Sequence, residues 1–216
     1  MLDLILIAIG GYLLGSISGS LVLGRFRKVD IRAMGSGNAG GTNALRTLGW
    51  KFALAVVLID VGKGVLAAGL LPYLGPWLSS SPASPLTLGA LAGFAAVLGH
   101  IWPIYFRLRG GKGAGTAIGV IAILAPWCIL PLVLVWIFTI IGTGYVGLAT
   151  VLAGLSLVPS MWLLGPDPLP LALGLLAVGL AMLLVFTHRS NLVRLKSGTE
   201  NRFEKARLIK RRRQNL

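Results

Sequence analysis

The sequence has little charge and almost no cysteine. Only 12% of its 216 residues are charged, against the roughly 25% that is typical of soluble domains. Cys128 is the only cysteine, which excludes an intramolecular disulfide and a cysteine-based zinc site. Six Asp and Glu residues in the whole chain offer no obvious cage for a metal ion. We therefore expect neither a metal nor another cofactor.

Hydrophobic residues make up 56% of the chain, and the net charge is +14. The basic residues fall in three blocks, each of which borders a long apolar run: Arg25 to Lys63, Arg107 to Lys112 and Arg189 to Arg213. Cytoplasmic loops of membrane proteins have this distribution. The positive charge therefore indicates an integral membrane protein rather than a nucleic-acid-binding one.

The apolar runs predict the membrane spans. A first span is expected over Leu2 to Gly24, a second over Trp50 to Leu71, a third over Leu86 to Phe106 and a last over Leu171 to Thr187. Pro72 to Pro85, which holds four prolines and four serines, is expected to be a turn-rich loop.

The loops without Lys or Arg, at Pro72 to Pro85 and Leu163 to Pro170, should face away from the three basic blocks. Lys112 and Leu163 must then be joined by an odd number of crossings, and three short or tilted spans fit the length, with breaks near Ala125 to Pro131 and Gly142 to Gly144. The prediction is an all-α membrane protein of about seven spans, with the N-terminus outside and the C-terminus in the cytoplasm.

Residues 1–188 are accordingly predicted to form one membrane-embedded catalytic domain, and residues 189–216 a basic cytoplasmic tail. Within this tail, Ile209 to Arg213 is most simply a solvated arm that is attracted to anionic lipid headgroups.

A glycine-rich loop lies in the first basic block. It reads Gly35-Ser36-Gly37-Asn38-Ala39-Gly40-Gly41-Thr42-Asn43 and lies between Arg32 and Arg46. Glycine lets consecutive backbone N–H groups turn toward one point, and Ser, Thr and Asn side chains add donors. We therefore expect the loop to hold a phosphate. A flexible linker between spans is the plainer alternative, and a dinucleotide-binding turn is rejected because no strand precedes the loop.

The second basic block ends in Gly110-Gly111-Lys112-Gly113, a turn that also suits phosphate but is not a Walker A motif. Two such loops on one membrane face suggest two phosphate groups. In the third block, His188, Ser190 and Asn191 follow the last span, and His188 and Asn191 would share one face if the helix continues. Asp60 and Lys63, at i and i+3 in the second span, are expected to pair and to support the site together with His100.

These motifs resemble a known family, the bacterial acyl-phosphate:glycerol-3-phosphate acyltransferases of the PlsY type. The resemblance rests on five ordered motifs: Val29-Asp30-Ile31-Arg32 with the first glycine loop and Arg46, Asp60-x-x-Lys63-Gly64, Gly99-His100-x-x-Pro103, Gly110-Gly111-Lys112-Gly113, and His188-Arg189-Ser190-Asn191-x-x-Arg194 with Gly198 and Glu200. It implies an enzyme of the bacterial cytoplasmic membrane that moves a fatty acyl group from acyl phosphate to the sn-1 hydroxyl of glycerol 3-phosphate. The products are lysophosphatidic acid and inorganic phosphate.

The chain departs from the family pattern in two places. Ser16-Ile17-Ser18 replaces the usual Ser-Ile-Pro, and Gly144 and Gly147 stand where the family usually has Arg and Ser. If that Arg and Ser contribute to substrate contact, this protein must do without them.

Acyl phosphate is an activated mixed anhydride, so its enzyme needs groups that bind and stabilise anions more than it needs a strong nucleophile. We therefore expect direct attack by the glycerol hydroxyl. Ser36, Arg46, Lys112, His188 and Asn191 are the predicted catalytic residues. The predicted substrate-binding residues are Gly35, Gly37, Asn38, Gly40, Thr42, Asn43, Gly110, Gly111, Gly113 and Ser190.

The expected partners are the two substrates, the lipid bilayer and the soluble enzyme that makes acyl phosphate, with no nucleic acid. A transporter of organic phosphates or lipids is the main alternative, but transporters place their binding groups near the membrane midplane. A noncatalytic scaffold would explain neither glycine loop.

Overall fold

The structure is a computed structural model that describes residues 1–80 and 82–203. In this part of the chain it is all-helical, with eleven α-helices and four short 3₁₀ helices. The α-helices are α1 (Leu2–Gly15), α2 (Gly19–Phe26), α3 (Gly41–Leu48), α4 (Trp50–Gly69), α5 (Gly75–Leu78), α6 (Pro85–Ile101), α7 (Ala114–Leu124), α8 (Ile129–Thr143), α9 (Val146–Leu164), α10 (Leu171–Thr187) and α11 (Arg189–Lys196). The predicted lipid-attracted arm, Ile209 to Arg213, lies outside the described residues.

Several helices are long and apolar enough to cross a membrane. By length and composition, the described residues contain four such helical segments, Trp50–Leu78, Pro85–Phe106, Pro126–Thr143 and Val146–Leu164. Two pairs of helices are also long and apolar enough when each pair is taken as one span. These are α1 with α2, which are bent by 44°, and α10 with α11, which are bent by 51°. Helix α7 is a shorter apolar helix. The fold is that of a helical integral membrane protein.

The breaks in the long apolar stretch after residue 113 fall where the sequence predicts them. Helix α7 ends before Ala125, and α8 ends at Thr143. Gly144 caps α8 in the left-handed conformation, with φ of 77°, and its N–H donates to the carbonyl of Ile140. Glycine adopts this conformation without the steric cost that a Cβ brings. The predicted last span coincides with α10.

The first predicted span is wrong in one respect, because it is not continuous. The helix breaks over Ser16 to Ser18, between α1 and α2. Backbone groups freed by a break inside a membrane need partners. Asp60 accepts a hydrogen bond from the N–H of Gly19 at 3.1 Å, and Lys63 donates to the carbonyl of Ile17 at 2.9 Å. The break is therefore stabilised by two polar residues of α4.

The stretch predicted as a turn-rich loop, Pro72 to Pro85, is partly helical. A 3₁₀ helix covers Leu71–Leu74, and the one-turn helix α5 follows it. Proline at the start of each element explains the difference, because its fixed φ suits the first turn of a helix.

Small residues let the helices approach closely. Helix α1 packs on α6, and α4 packs on α7. A Cβ at Gly15 would overlap the backbone of Ala96, and a Cβ at Gly64 would overlap the carbonyl of Thr116. Close backbone contact of this kind is the usual basis of helix association in membranes. Helix α9 packs on both α8 and α10, and a cavity lies between these helices and the α4–α7 pair.

Candidate active site

The cavity has a volume of about 600 Å³ and two chemically different parts. Its polar end is formed by both glycine loops, the α10–α11 junction and the segment just after α11. The remainder is apolar. The apolar lining comes from α4, α7, α8, α9 and α10 and includes Val57, Val61, Ala117, Ile118, Ile121, Leu132, Val133, Trp136, Ala153, Leu157, Leu180 and Leu184.

Asn43 fixes the shape of the first glycine loop. Its buried side-chain amide donates to the carbonyls of Ile31 and Met34, at 3.1 and 2.9 Å, and its oxygen accepts from the N–H of Ser36 at 2.9 Å. Gly35 has a φ of 56°, and a Cβ there would overlap the Asn43 side chain. Asn43 and Gly35 thus shape the loop from within, and Gly35 is not among the cavity-lining residues.

The donors for an anion differ from those that the sequence predicts. Within the loop, the N–H groups of Ser36, Gly37 and Gly40 are already used in internal hydrogen bonds. The first turn of α3, which begins at Gly41, has N–H groups without helical partners, and Gly41 and Thr42 line the cavity. An anion here would therefore meet a helix N-terminus rather than a nest of glycine N–H groups.

The other predicted residues of this block line the cavity too. Ser36, Gly37, Asn38 and Gly40 do so from the loop. Arg46 does so from α3, with its guanidinium 5.9 Å from the ring centre of Phe203. The block thus contributes a hydroxyl, a guanidinium and the N-terminus of α3.

The second glycine loop is held by α6. The N–H groups of Gly110 and Gly111 donate to the carbonyls of Ile101 and His100, both at 3.1 Å, and neither glycine lines the cavity. Gly113, with φ of 89°, caps the start of α7. A second helix N-terminus therefore opens into the same cavity, and the positive ends of two helix dipoles meet there.

Lys112 projects into the cavity from this loop and contacts Asn191. The Thr187 hydroxyl donates to the Lys112 carbonyl at 3.0 Å and so ties the loop to α10. Burial, and next the nearby Arg194 guanidinium, lower the pKa of Lys112 to about 8. An anion in the cavity would favour the charged form of this lysine.

His188 lies at the bend between α10 and α11. The helix does not continue straight through His188, because α10 ends at Thr187 and α11 turns away by 51°. Both side chains, and Ser190, still line the cavity. The Nδ1 atom of His188 lies 2.8 Å from the carbonyl of Leu184. A carbonyl only accepts, so Nδ1 carries the proton and Nε2 of the neutral ring is an acceptor.

His188 is neutral near physiological pH. Burial, and next the nearby Lys112 ammonium, lower its pKa to about 4. Its imidazole is therefore a weak base in this environment.

Arg194, Glu200 and Asn201 also line the cavity, although they are not among the site residues that the sequence predicts. Glu200, with only 5% of its side chain exposed, accepts from Asn191 at 2.6 Å and from Arg194 at 2.8 Å. Its only signal in the sequence is its position shortly after the helix that carries Asn191 and Arg194. The start of the predicted tail therefore completes the polar end of the cavity.

The three residues predicted to support the site form one buried cluster. Lys63 lies 3.0 Å from the carboxylate of Asp60 and 2.8 Å from Nδ1 of His100. Asp60 and His100 line the cavity, and Lys63 lies behind them. Among the described residues, no group of three or more His, Cys, Asp and Glu side chains is placed to hold a metal ion.

Gly144 and Gly147 lie against α11 and the residues that follow it. A Cβ at Gly147 would lie 2.7 Å from Cβ and Nδ2 of Asn191. The carbonyl of Gly144 accepts from the N–H of Phe203 at 2.7 Å, and Arg202 donates to the Tyr145 hydroxyl at 2.7 Å. Here the C-terminal segment occupies the space beside the α8–α9 turn.

Comparison with known proteins finds relatives that match nearly the whole chain. The family model described as glycerol-3-phosphate acyltransferase matches residues 5–198. Glycerol-3-phosphate acyltransferase of Shouchella clausii is 45% identical over 207 residues, which cover 95% of this chain and 98% of that one. The corresponding protein of Symbiobacterium thermophilum is 41% identical over 202 residues, with 94% and 96% covered.

Two solved structures are similar over nearly the whole chain. Both are crystal structures of PlsY (YgiH), an integral membrane glycerol 3-phosphate acyltransferase. The glycerol 3-phosphate form has a TM-score of 0.81 and 33% identity, covering 93% of this chain and 95% of that one. The lysophosphatidic acid form has a TM-score of 0.79 and 32% identity, with 92% and 94% covered.

Proposed function

This chain belongs to the glycerol-3-phosphate acyltransferase family, and from that premise we propose how its cavity performs the transfer. The acyl donor is acyl phosphate, and the acceptor is the sn-1 hydroxyl of glycerol 3-phosphate. The products are lysophosphatidic acid and inorganic phosphate, in the first acylation step of phospholipid synthesis. The observation that carries this proposal is the division of one cavity into a cationic end and an apolar remainder.

The two parts of the cavity suit the two parts of the substrates. The phosphates bind at the polar end, where Lys112, Arg46 and the N-termini of α3 and α7 supply positive charge. The acyl chain lies in the apolar part, where each buried methylene contributes about 0.8 kcal/mol. The carbonyl to be attacked then lies between them. Binding alone holds the two reactants in contact, which removes much of the entropic barrier.

The chemical step is a single displacement. The sn-1 hydroxyl oxygen attacks the acyl carbonyl carbon, and the bond from that carbon to the phosphate oxygen breaks. The hydroxyl proton passes to the departing phosphate, which leaves as inorganic phosphate. Lys112 and Ser36 stabilise the negative charge that develops on the phosphate and carbonyl oxygens. No acyl-enzyme forms.

The state of His188 supports transfer of the proton to the substrate. With its pKa lowered to about 4, this imidazole is a weaker base than a phosphate whose second pKa is about 6. Its Nε2 is an acceptor that can orient the hydroxyl by a hydrogen bond. His188 thus positions glycerol 3-phosphate, and the phosphate takes the proton.

Asn191 acts on the same substrate through its neighbours. Its side chain accepts from Lys112 and donates to Glu200. With both ends bonded, the amide holds the Lys112 ammonium at the polar end of the cavity. Ser190 and Asn38 supply further hydrogen-bonding groups at the same end.

The membrane arrangement is proposed as seven crossings. The four long helical segments, the α1–α2 pair, α10 and the short helix α7 supply them. The basic blocks then lie on one face with the polar end of the cavity, and the positive-inside rule supports a cytoplasmic site and an N-terminus outside. Residues 1–188 form the catalytic domain of a bacterial inner-membrane protein, and residues 189–216 form a basic tail whose first part completes the site.

A cytoplasmic site can receive acyl phosphate from the soluble enzyme that makes it. The headgroup is charged and the chain is apolar, so the donor enters where the polar end of the cavity meets the lipid.

A donor comparison tests the proposal. The detergent-purified protein receives glycerol 3-phosphate and, in separate reactions, palmitoyl phosphate, acyl-CoA or an acyl carrier protein thioester, without added metal. We expect lysophosphatidic acid and an equal amount of inorganic phosphate from palmitoyl phosphate alone. Equal or faster product formation from either thioester would overturn the assignment of the donor.

A further inference from the structure

Three buried polar residues lie directly behind the glycine loops. Asp60, Lys63 and His100 are each only 3% exposed. The mechanism above gives none of them a contact with substrate. Burying charges in a membrane protein is costly, so such a cluster needs a purpose.

Lys63 uses all three of its hydrogen-bond donors. Its Nζ lies 2.9 Å from the carbonyl of Ile17, 3.0 Å from Oδ1 of Asp60 and 2.8 Å from Nδ1 of His100. An ammonium group donates and never accepts. A proton on Nδ1 of His100 would therefore face another donor across 2.8 Å. Nδ1 also lies 3.3 Å from Oδ1 of Asp60, but its shorter contact is the one with the Lys63 ammonium. This shorter contact assigns an unprotonated Nδ1 to His100, and the ring proton to Nε2.

The Nε2 edge of His100 faces the two glycine loops. A Cβ at Gly111 would overlap Nε2 of His100 and lie 2.6 Å from the carbonyl oxygen of Ala39. Ala39 belongs to the first loop and is fully buried. The backbone of the second loop thus passes between the imidazole and the first loop, with no space for a larger residue.

We propose that His100 is a positioning residue that sets the spacing of the two glycine loops, and that Lys63 fixes the tautomer in which it does so. The imidazole presses the second loop toward Ala39 and so places Lys112 beside Asn191. The Asp60–Lys63 pair holds the ring and also the break in the first span. The inference rests on the proposed function because it assigns His100 a role in the same reaction.

Nitrogen NMR tests the tautomer without any activity. The chain has two histidines, so ¹⁵N-histidine labelling gives two sets of ring signals, and a His188→Asn variant assigns them. The expected result is a neutral His100 that is protonated at Nε2 in the wild-type protein. Lys63→Met should change this tautomer, because Nδ1 then loses its donor. A wild-type His100 protonated at Nδ1 would overturn the role of Lys63.

Two substitutions test the positioning role. The side-chain amide of His100→Gln reaches the position of Nε2, whereas that of His100→Asn ends at the position of Nδ1. His100→Asn should raise the KM for glycerol 3-phosphate roughly tenfold or more, since the loops lose their spacer. His100→Gln should restore most of the affinity. Equal KM values for the two variants, at equal melting temperatures, would contradict the role.

A binding measurement keeps the test independent of turnover and of folding. Gly111→Ala disturbs the contact between the second loop and the His100 ring from the side of the loop. It leaves Asp60, Lys63 and His100 themselves unchanged. Inorganic phosphate should raise the melting temperature of the wild-type protein and of His100→Gln, and should do so less for His100→Asn and Gly111→Ala. Equal stabilisation of all four proteins would overturn the inference. Absence of turnover in the wild-type protein would instead count against the proposed function.

Discussion

Lys112 and Asn191 lie 79 residues apart in the sequence, and their side chains are hydrogen bonded at the polar end of the cavity. One comes from a glycine loop after α6, and the other from the short helix that follows the last span. Glu200 bonds the other end of the Asn191 amide. The arrangement fixes a lysine ammonium where the substrate phosphates are proposed to bind.

Asn191→Ala should lower kcat/KM by about 100-fold, the size of loss that a misplacement of about 1 Å in an active site can cause. The variant leaves Lys112 without its acceptor and Glu200 without one of its two donors. Product formation from palmitoyl phosphate and glycerol 3-phosphate measures the effect. Ser197→Ala, an exposed change in the same segment, is the control. Similar values of kcat/KM for both variants would show that Asn191 does not contribute to the reaction.

The pH dependence of kcat/KM should show an alkaline limb near pH 8. The free enzyme needs Lys112 as an ammonium, and its pKa is lowered to about 8 by burial first and by Arg194 second. Activity therefore falls as pH rises through that value. Substrate phosphates have their second pKa near about 6 and are fully ionised there, so they do not contribute to the limb.

Arg189→Gln should move this limb to higher pH, because Arg189 is one of the charges that lower the pKa of Lys112. Arg189 is exposed and does not line the cavity. A limb that stays in place, or that moves to lower pH, would show that Lys112 is not the titrating group.

Gly147→Ala should lower kcat/KM roughly tenfold or more, because the added Cβ would lie 2.7 Å from the side chain of Asn191. Gly142→Ala is a matched control in the neighbouring helix, since no atom lies within 4 Å of a Cβ there. Assays of both variants at equal melting temperature separate the contact from a general effect of alanine. Equal activity of the two variants would show that a displacement of the Asn191 side chain does not affect kcat/KM.

Ala153→Phe should shift the preference toward shorter acyl chains. Ala153 is buried and lines the apolar part of the cavity. Displacing two methylenes, at about 0.8 kcal/mol each, corresponds to a roughly tenfold rise in the KM for palmitoyl phosphate. Decanoyl phosphate should be much less affected. Leu155→Phe, on an exposed residue of the same helix, should change neither KM. An unchanged chain-length profile for Ala153→Phe would place the acyl chain elsewhere.

The sequence predicted the positions of the helices well where glycine marks their ends. Gly144 ends α8 as predicted, and the last span was predicted to the residue. The break at Ser16 to Ser18 was missed because Asp60 and Lys63, which stabilise it, lie more than 40 positions away in α4. Hydropathy describes the apolar character of one segment, so it carries no information about polar partners that are distant in the sequence.

The side chains predicted to be catalytic lie together in the structure, and their roles stay predictions. Ser36, Arg46, Lys112, His188 and Asn191 all line one cavity. The backbone donors proposed for the phosphates lie at the starts of α3 and α7, because Ser36, Gly37 and Gly40 in the first loop and Gly110 and Gly111 in the second use their N–H groups in hydrogen bonds within the protein. Glu200 was not assigned to the site because its position depends on how the chain turns after α11.

The most direct test of the account is the rate of lysophosphatidic acid formation by Lys112→Ala. Lys51→Ala, which removes an exposed lysine at the start of α4, is the control. With palmitoyl phosphate and glycerol 3-phosphate, Lys112→Ala should lose at least about 100-fold in kcat/KM, as expected for removal of a group that stabilises developing charge. Lys51→Ala should keep the wild-type rate. Wild-type turnover by a folded Lys112→Ala protein would contradict the proposal that this cavity clamps the substrate phosphates.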